Sequence, residues 1–167
     1  MPLDANEPLP EKHDGRLGGS RAVGLWLRLL SCSMVIEKRL RGRFADRFST
    51  TLPRFDVMAA LDRAPEGLTM GRLSRKLLVS NGNVTGLVRQ LQSQGLVATA
   101  AAKGDKRSSV VALTPAGRAL FADLAAAHHA WIEGMLAGLP ADRAALLFEL
   151  LAELRVSIGA EDEDAAL

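Results

Sequence analysis

From Arg21 onward the apolar positions fall into a succession of short periodic runs. Val23, Trp26, Leu27, Leu30 and Met34 recur at helical spacing, and Ile36, Leu40, Phe44 and Phe48 continue the supply, which predicts one long helix ending near Phe48. Pro53, at a first-turn position, opens a second helix carrying Phe55, Val57, Met58 and Leu61 and closed by Pro65 and Gly67. Thr69 is placed to cap a short third helix over about Met70 to Leu78. In the fourth, Val84, Leu87, Val88 and Leu91 fall at i, i+3, i+4 and i+7 behind the capping oxygens of Ser80 and Asn81, and Gly95 ends it. Its outward face carries Gly82, Gly86 and Arg89, flanked by Thr85 and Gln90. Each interior glycine costs about 1 kcal/mol against alanine. A face left this bare predicts close approach to a large surface.

The period then changes from helical to alternating. LVATA and SVVAL read as two short strands joined through AAKGDKRS, with Gly104 and Asp105 as turn formers and Lys103, Lys106 and Arg107 at the tip. Thr114 followed by Pro115 starts another helix, which runs to about Leu136 before Gly138 and Pro140 break it. Leu146, Leu147, Leu150, Leu151 and Leu154 make the last helix apolar over more than one face, so with the long first helix it predicts an interwoven dimer. Residues 1–20 hold three prolines, three glycines and few large apolar side chains, and read as a flexible arm. The fold class is mostly α with a small β-hairpin.

Charge sharpens the picture. The chain of 167 residues has a net charge of only +2, yet residues 21–54 and 70–113 each carry +6 and residues 114–167 carry −6. A basic part joined to an acidic one is the distribution expected when one part faces phosphate. The single cysteine, Cys32, excludes an intrachain disulfide and a zinc site built on cysteine pairs. With no Tyr, five Phe and two Trp, a base-stacking platform for single strands is disfavoured. No stretch is long and apolar enough to span a membrane, and the polar, acidic start does not read as a secretory leader, so a cytoplasmic location is expected. No nucleophile with a base, carboxylate pair or phosphate loop appears, so neither catalysis nor a cofactor is expected.

Two short helices joined by the tight turn LLVS and followed by a basic hairpin form the winged helix-turn-helix order. Within it, LSRKLLVSNGNVTGLVRQLQSQGLV resembles the helix-turn-helix of the MarR-type transcriptional regulators, and DKRSSVVALT resembles their wing pattern of Asp, any residue, Arg, then Leu-Thr. TLPRFDVMAALDRAPEGLTMGRL is similar to the family's second helix and short first strand. The likeness covers about residues 22–158. It implies a winged helix-turn-helix with N- and C-terminal dimerisation helices: a dimerisation and ligand-pocket helix over 21–48, a DNA-binding lobe over 53–113, dimerisation helices over 114–158 and an acidic tail over 159–167. Ser80, Asn81, Asn83, Thr85 and Arg89 then match the recognition helix, where Asn and Arg pair with A and G edges. Arg107 matches the wing arginine that enters the minor groove, and Asp105 the carboxylate that holds it. Arg72, Arg75, Lys76 and Lys106 match phosphate contacts. The chain departs from many relatives in the uncharged run Ala98 to Ala102 and in Gly86.

The resemblance further implies a homodimeric repressor on a pseudo-palindromic operator in double-stranded DNA, released by a small anionic effector seated between the dimerisation helices and the DNA-binding lobe. An aromatic acid or its CoA thioester is the implied class. Trp26, Met34 and Phe55 are candidate apolar walls for it, Arg54 a candidate cation, and Arg39, Arg41 and Arg43 candidate partners of a CoA phosphate, each with core packing or a solvated or DNA-facing charge as the other reading. Two other readings stand beside it. One is a winged-helix protein-interaction module, and the other a redox-responsive regulator through Cys32. For Cys32 a buried, inert thiol is expected, because no tyrosine is available to orient it. His128 and His129 are expected to be solvated or capping and not to bind metal, since adjacent helical residues point about 100° apart.

Overall fold

A computed structural model of the protein describes residues 20–102 and 105–164, with backbone alone described for residues 102, 105–108 and 160–164. The arm expected over residues 1–20 lies, apart from Ser20, outside them, as do Lys103 and Gly104. The elements run α1 (Arg21–Phe48), α2 (Leu52–Asp62), α3 (Met70–Leu77), α4 (Asn81–Ser93), β1 (Val97–Ala102), β2 (Asp105–Leu113), α5 (Pro115–Leu136) and α6 (Ala141–Asp164). The chain divides into two compact units, one running to His128 and the other from His129 onward.

In the first unit α2 is the hub. It packs against α1, α3, α4 and β2, and Val57, Met58 and Leu61 supply its buried side. The short helices form because each has a side-chain cap for an otherwise unpaired first-turn amide: Thr51 Oγ1 accepts from Arg54 N, Thr69 Oγ1 from Arg72 N and Ser80 Oγ from Asn83 N. Val84, Val88 and Leu91 of α4 are buried with Leu73 of α3 and Leu87 is half-buried, so the predicted stripe is the one that faces the core. The strands pair antiparallel from Val97 opposite Leu113 to Ala101 opposite Ser109, with an irregularity between Ala101 and Ala102. Val97, Val111 and Leu113 turn inward at the base of this wing.

The short first strand shrinks to one residue. Leu68 bridges Val111 through two backbone hydrogen bonds, and Gly67 (φ 84°) and the cap residue Thr69 on either side stop it from extending. The last helix continues through Asp164, past the boundary expected at residue 158. In the second unit, Leu146, Leu147, Phe148, Leu150 and Leu151 of α6 are exposed in the single chain.

Two expectations about α1 and α5 are corrected. Cys32 is exposed, because the buried positions of α1 are Leu27, Ser31, Leu40 and Phe44, and a residue next to Ser31 points about 100° away from that line. Its accessibility alone does not make it a reactive site. His128 is half-buried and stacked on rings of the core, where a solvated or capping histidine was expected. Its ring stacks on Phe55 at 4.7 Å and on Phe44 at 6.2 Å, and Phe55 in turn stacks on Phe121 at 5.7 Å. The imidazole therefore completes an aromatic cluster drawn from α1, α2 and α5. His129 points to solvent with Nε2 at 3.1 Å from the Glu133 carboxylate, one helical turn on.

Asp56 of α2 has its pKa pushed above the usual carboxylate value, first by partial burial and then by the Glu37 charge. The folded chain thus holds the protonated form more readily than the unfolded chain. The associated stability is present below the unfolded-state value and is lost as pH rises through the folded one. Asp56→Asn is expected to raise Tm at neutral pH, with the gain disappearing as pH falls through the carboxylate range. A thermal melt series from pH 3 to 8 checks it, and a gain independent of pH contradicts this origin.

Candidate nucleic-acid interface

The helix-turn-helix is built on a turn with little freedom. Ser74 Oγ donates to the Val79 carbonyl at 2.6 Å, Val79 N donates to Ser74 O, and Leu78 N donates to Arg75 O, which closes α3 with Leu78 in the left-handed region (φ 54°). Ser80 then caps α4. Because its Oγ only accepts in that role, the hydroxyl proton is left for an outside acceptor such as a phosphate oxygen. Thr85 differs. Its hydroxyl donates to Asn81 O at 2.8 Å, so it offers a partner only lone pairs and its methyl group.

Asn81, Gly82, Asn83, Gly86, Arg89 and Gln90 are exposed, opposite the buried stripe. A Cβ built on Gly82 or Gly86 meets nothing within 4 Å, so neither glycine is required by the packing of this chain. On α3, Arg72, Arg75 and Lys76 are exposed at i, i+3 and i+4, and among the described residues no ion pair engages them or Arg89. The arrangement offers amide groups able to read base edges, beside cations free to meet phosphates. Gly86→Ala is expected to stabilise the chain by about 1 kcal/mol through helix propensity, since the added methyl enters open space, and to weaken binding to DNA that lies against this face. Paired melting and binding titrations check it. Unchanged binding would mean that the face is not approached closely.

The C-terminal end of α4 is tied to three neighbours. Gln92 Nε2 donates to Thr99 Oγ1 of β1 at 2.7 Å, Arg54 of α2 donates to Gln94 Oε1, and Thr114 Oγ1 donates to Gly95 O at 2.7 Å. Thr114 also accepts from Gly117 N at 3.0 Å, which caps α5. These contacts hold the end of α4 to α2, β1 and the start of α5, and none of Gln92, Gln94, Thr99 and Gly117 stood out in the sequence. The one signal was the cost of a glycine inside a helix, which marks Gly117 as it marks Gly86. Asp105, Lys106 and Arg107 open β2, but their side chains lie outside the described ones, and so does the expected hold of Asp105 on Arg107.

The candidate effector residues are spread over α1 and α2. Trp26, Met34, Arg39, Arg41 and Arg43 are exposed on α1, with Arg41 Nη2 at 2.5 Å from Glu37. Phe55 is taken up by the aromatic cluster of the core. Arg54 is half-buried; beyond its bond to Gln94, its Nε is shielded from solvent and meets no acceptor among the described residues. Among those residues no cluster of His, Cys, Asp and Glu suits a metal ion, and no helix is long and apolar enough to cross a membrane.

A sequence profile of the MarR family matches residues 48–108. The "Transcriptional activatory protein BadR" of Rhodopseudomonas palustris is 33% identical over 103 residues, which are 60% of this chain and 58% of that protein. The chain spans less than two thirds of the length of the curated relatives it first matches. Among solved structures, a MarR family transcriptional regulator from Silicibacter pomeroyi is 33% identical with a TM-score of 0.69, covering 80% of this chain and 92% of that one. CouR from Rhodococcus jostii, solved with p-coumaroyl-CoA bound, gives a TM-score of 0.71 over 82% of this chain and 95% of that one. At 18% identity it shows the shared fold.

Proposed function

Since this chain belongs to the MarR family of transcriptional regulators, we propose that it binds double-stranded DNA as a homodimer and regulates transcription from a pseudo-palindromic operator. The observation that carries the reading is the outer face of α4. Exposed Asn81, Asn83 and Arg89 and two glycines with open space above them are presented on a helix tied at its far end to the wing. Arg72, Arg75 and Lys76 add affinity through phosphates, and Asp105, Lys106 and Arg107 bring the wing to the minor groove. A second copy covers the exposed leucines of α6, since an apolar surface of that kind is seldom left to water.

Repression by covering a promoter is the regulatory reading, lifted by an anionic aromatic acid or its CoA thioester. The acyl-CoA held by the fold neighbour CouR supports that class, and so does Arg54 Nε, a shielded cationic donor that meets no acceptor among the described residues. Release requires the effector to bind the off-DNA conformation more tightly than the DNA-bound one. Fluorescence anisotropy on a duplex from the gene's own upstream region, against a scrambled duplex and across a salt series, tests the reading, with p-coumaroyl-CoA and free aromatic acids added afterwards. Tight, salt-steep and sequence-selective binding is expected, reversed by one of these probes. Equal, weak binding to both duplexes supports the protein-interaction alternative. A transcription assay on the selected promoter gives the sign of regulation, and activation, as in the name of the R. palustris relative, would overturn the repressor reading.

A further inference from the structure

Leu78 occupies a position that suits it poorly on every intramolecular count. It sits in the turn between α3 and α4 with φ 54° and ψ 38°, a conformation that glycine or asparagine adopts readily and that crowds the β-carbon of other residues. A leucine in such a place is ordinarily retained for packing, yet Leu78 is 92% exposed. Nor does it have a polar atom with which to stabilise the turn, as asparagine would. The backbone around it is held by Ser74 Oγ on the Val79 carbonyl and by the amides of Leu78 and Val79 on α3 carbonyls, so the side chain projects from a fixed base.

The surroundings say what it meets. Arg75 and Lys76, both exposed, precede it by three and two residues, and the N-cap Ser80 and the first-turn amides of α4 follow. Cations and a helix N-terminus attract a polyanion. An apolar side chain set among them fits a polyanion that also presents hydrocarbon. Double-stranded DNA does so, through the C–H faces of its deoxyriboses and the thymine C5-methyl groups in the major groove. We propose that Leu78 is a DNA-contacting residue of the operator complex, whose side chain packs against sugar or thymine methyl beside the phosphates met by Arg75 and Lys76. The inference rests on the regulator reading above and adds to it an apolar contact from the turn.

The test exploits opposite effects on stability and binding. Leu78→Gly and Leu78→Asn both relieve the turn, so each is expected to raise Tm by about 2 °C. Both remove the apolar contact, and operator affinity is expected to fall roughly five- to tenfold. The slope of affinity against salt stays as in the unaltered chain, because no phosphate contact is lost. Leu78→Met, which keeps an apolar side chain of similar length, is expected to retain affinity. Uracil in place of each operator thymine separates the two faces of DNA. A penalty seen with the unaltered chain and absent with the Leu78→Gly chain assigns the contact to the methyl, and an equal penalty with both assigns it to the sugar. Unchanged operator affinity in Leu78→Gly, beside an unaltered chain that does prefer operator over scrambled duplex, overturns the contact alone. Failure of the unaltered chain to prefer any operator overturns the regulator reading and the contact with it.

Discussion

Gly117→Ala is expected to destabilise the protein by about 3 kcal/mol or more and to lower Tm by roughly 6–12 °C. Gly117 is buried in the first turn of α5, and a β-carbon there would stand 1.9 Å from the carbonyl oxygen of Leu96 and 2.9 Å from its carbon. Both are backbone atoms, so no rotamer change relieves the clash. The same carbonyl accepts from Thr114 N at 3.0 Å, and Thr114 caps the helix through Gly117 N. Moving α5 away from Leu96 therefore loosens the cap and the end of α4 together. Calorimetry gives the stability change, and a variant that melts with the unaltered chain would mean that α5 enters at another angle.

Asn83→Ala is expected to cost roughly ten- to a hundredfold in operator affinity while leaving binding to scrambled DNA nearly unaltered, the signature of a lost base-edge contact. Asn83 is exposed on α4, and its amide nitrogen, not its side chain, takes the Ser80 cap, so the helix start survives the change. Arg75→Ala supplies the contrast. Its loss should weaken operator and scrambled duplexes alike and reduce the slope of log affinity against log salt by about 1. If the two variants behaved identically, the division of labour between α4 and α3 would be wrong.

The elements were legible where local pattern and burial coincide. The stripe of Val84, Val88 and Leu91 and the caps at Thr69 and Ser80 stand in the structure as their spacing predicts, because both are decided within a few residues. The polar outer face of α4 follows from the same period. In α1 the lack of tyrosine misled on Cys32, since a missing partner says nothing about which way a side chain turns. Leu25, Trp26 and Met34 are exposed and apolar, so the helix carries apolar residues beyond its core line and the run of letters does not mark which side turns inward. His128 was misread because its partners, Phe44 and Phe55, lie far away in the chain and come together only through tertiary packing.

The supports of the interface were illegible for a related reason. Gln92, Gln94 and Thr99 are ordinary polar residues until α4, α2 and β1 bring their partners within reach. Leu78 gave no signal either, since LLVS reads as an apolar turn and only the backbone reveals a left-handed leucine in solvent.

A dimer of this chain is expected to read DNA sequence through α4. The decisive experiment is to select bound duplexes from a random library at physiological salt and sequence them. An enriched pseudo-palindrome whose half-sites are centred about 10 base pairs apart is expected, lost when Asn83 is replaced by Ala. Recovery of sequences with no shared motif, or of a motif that Asn83→Ala leaves unchanged, would contradict it.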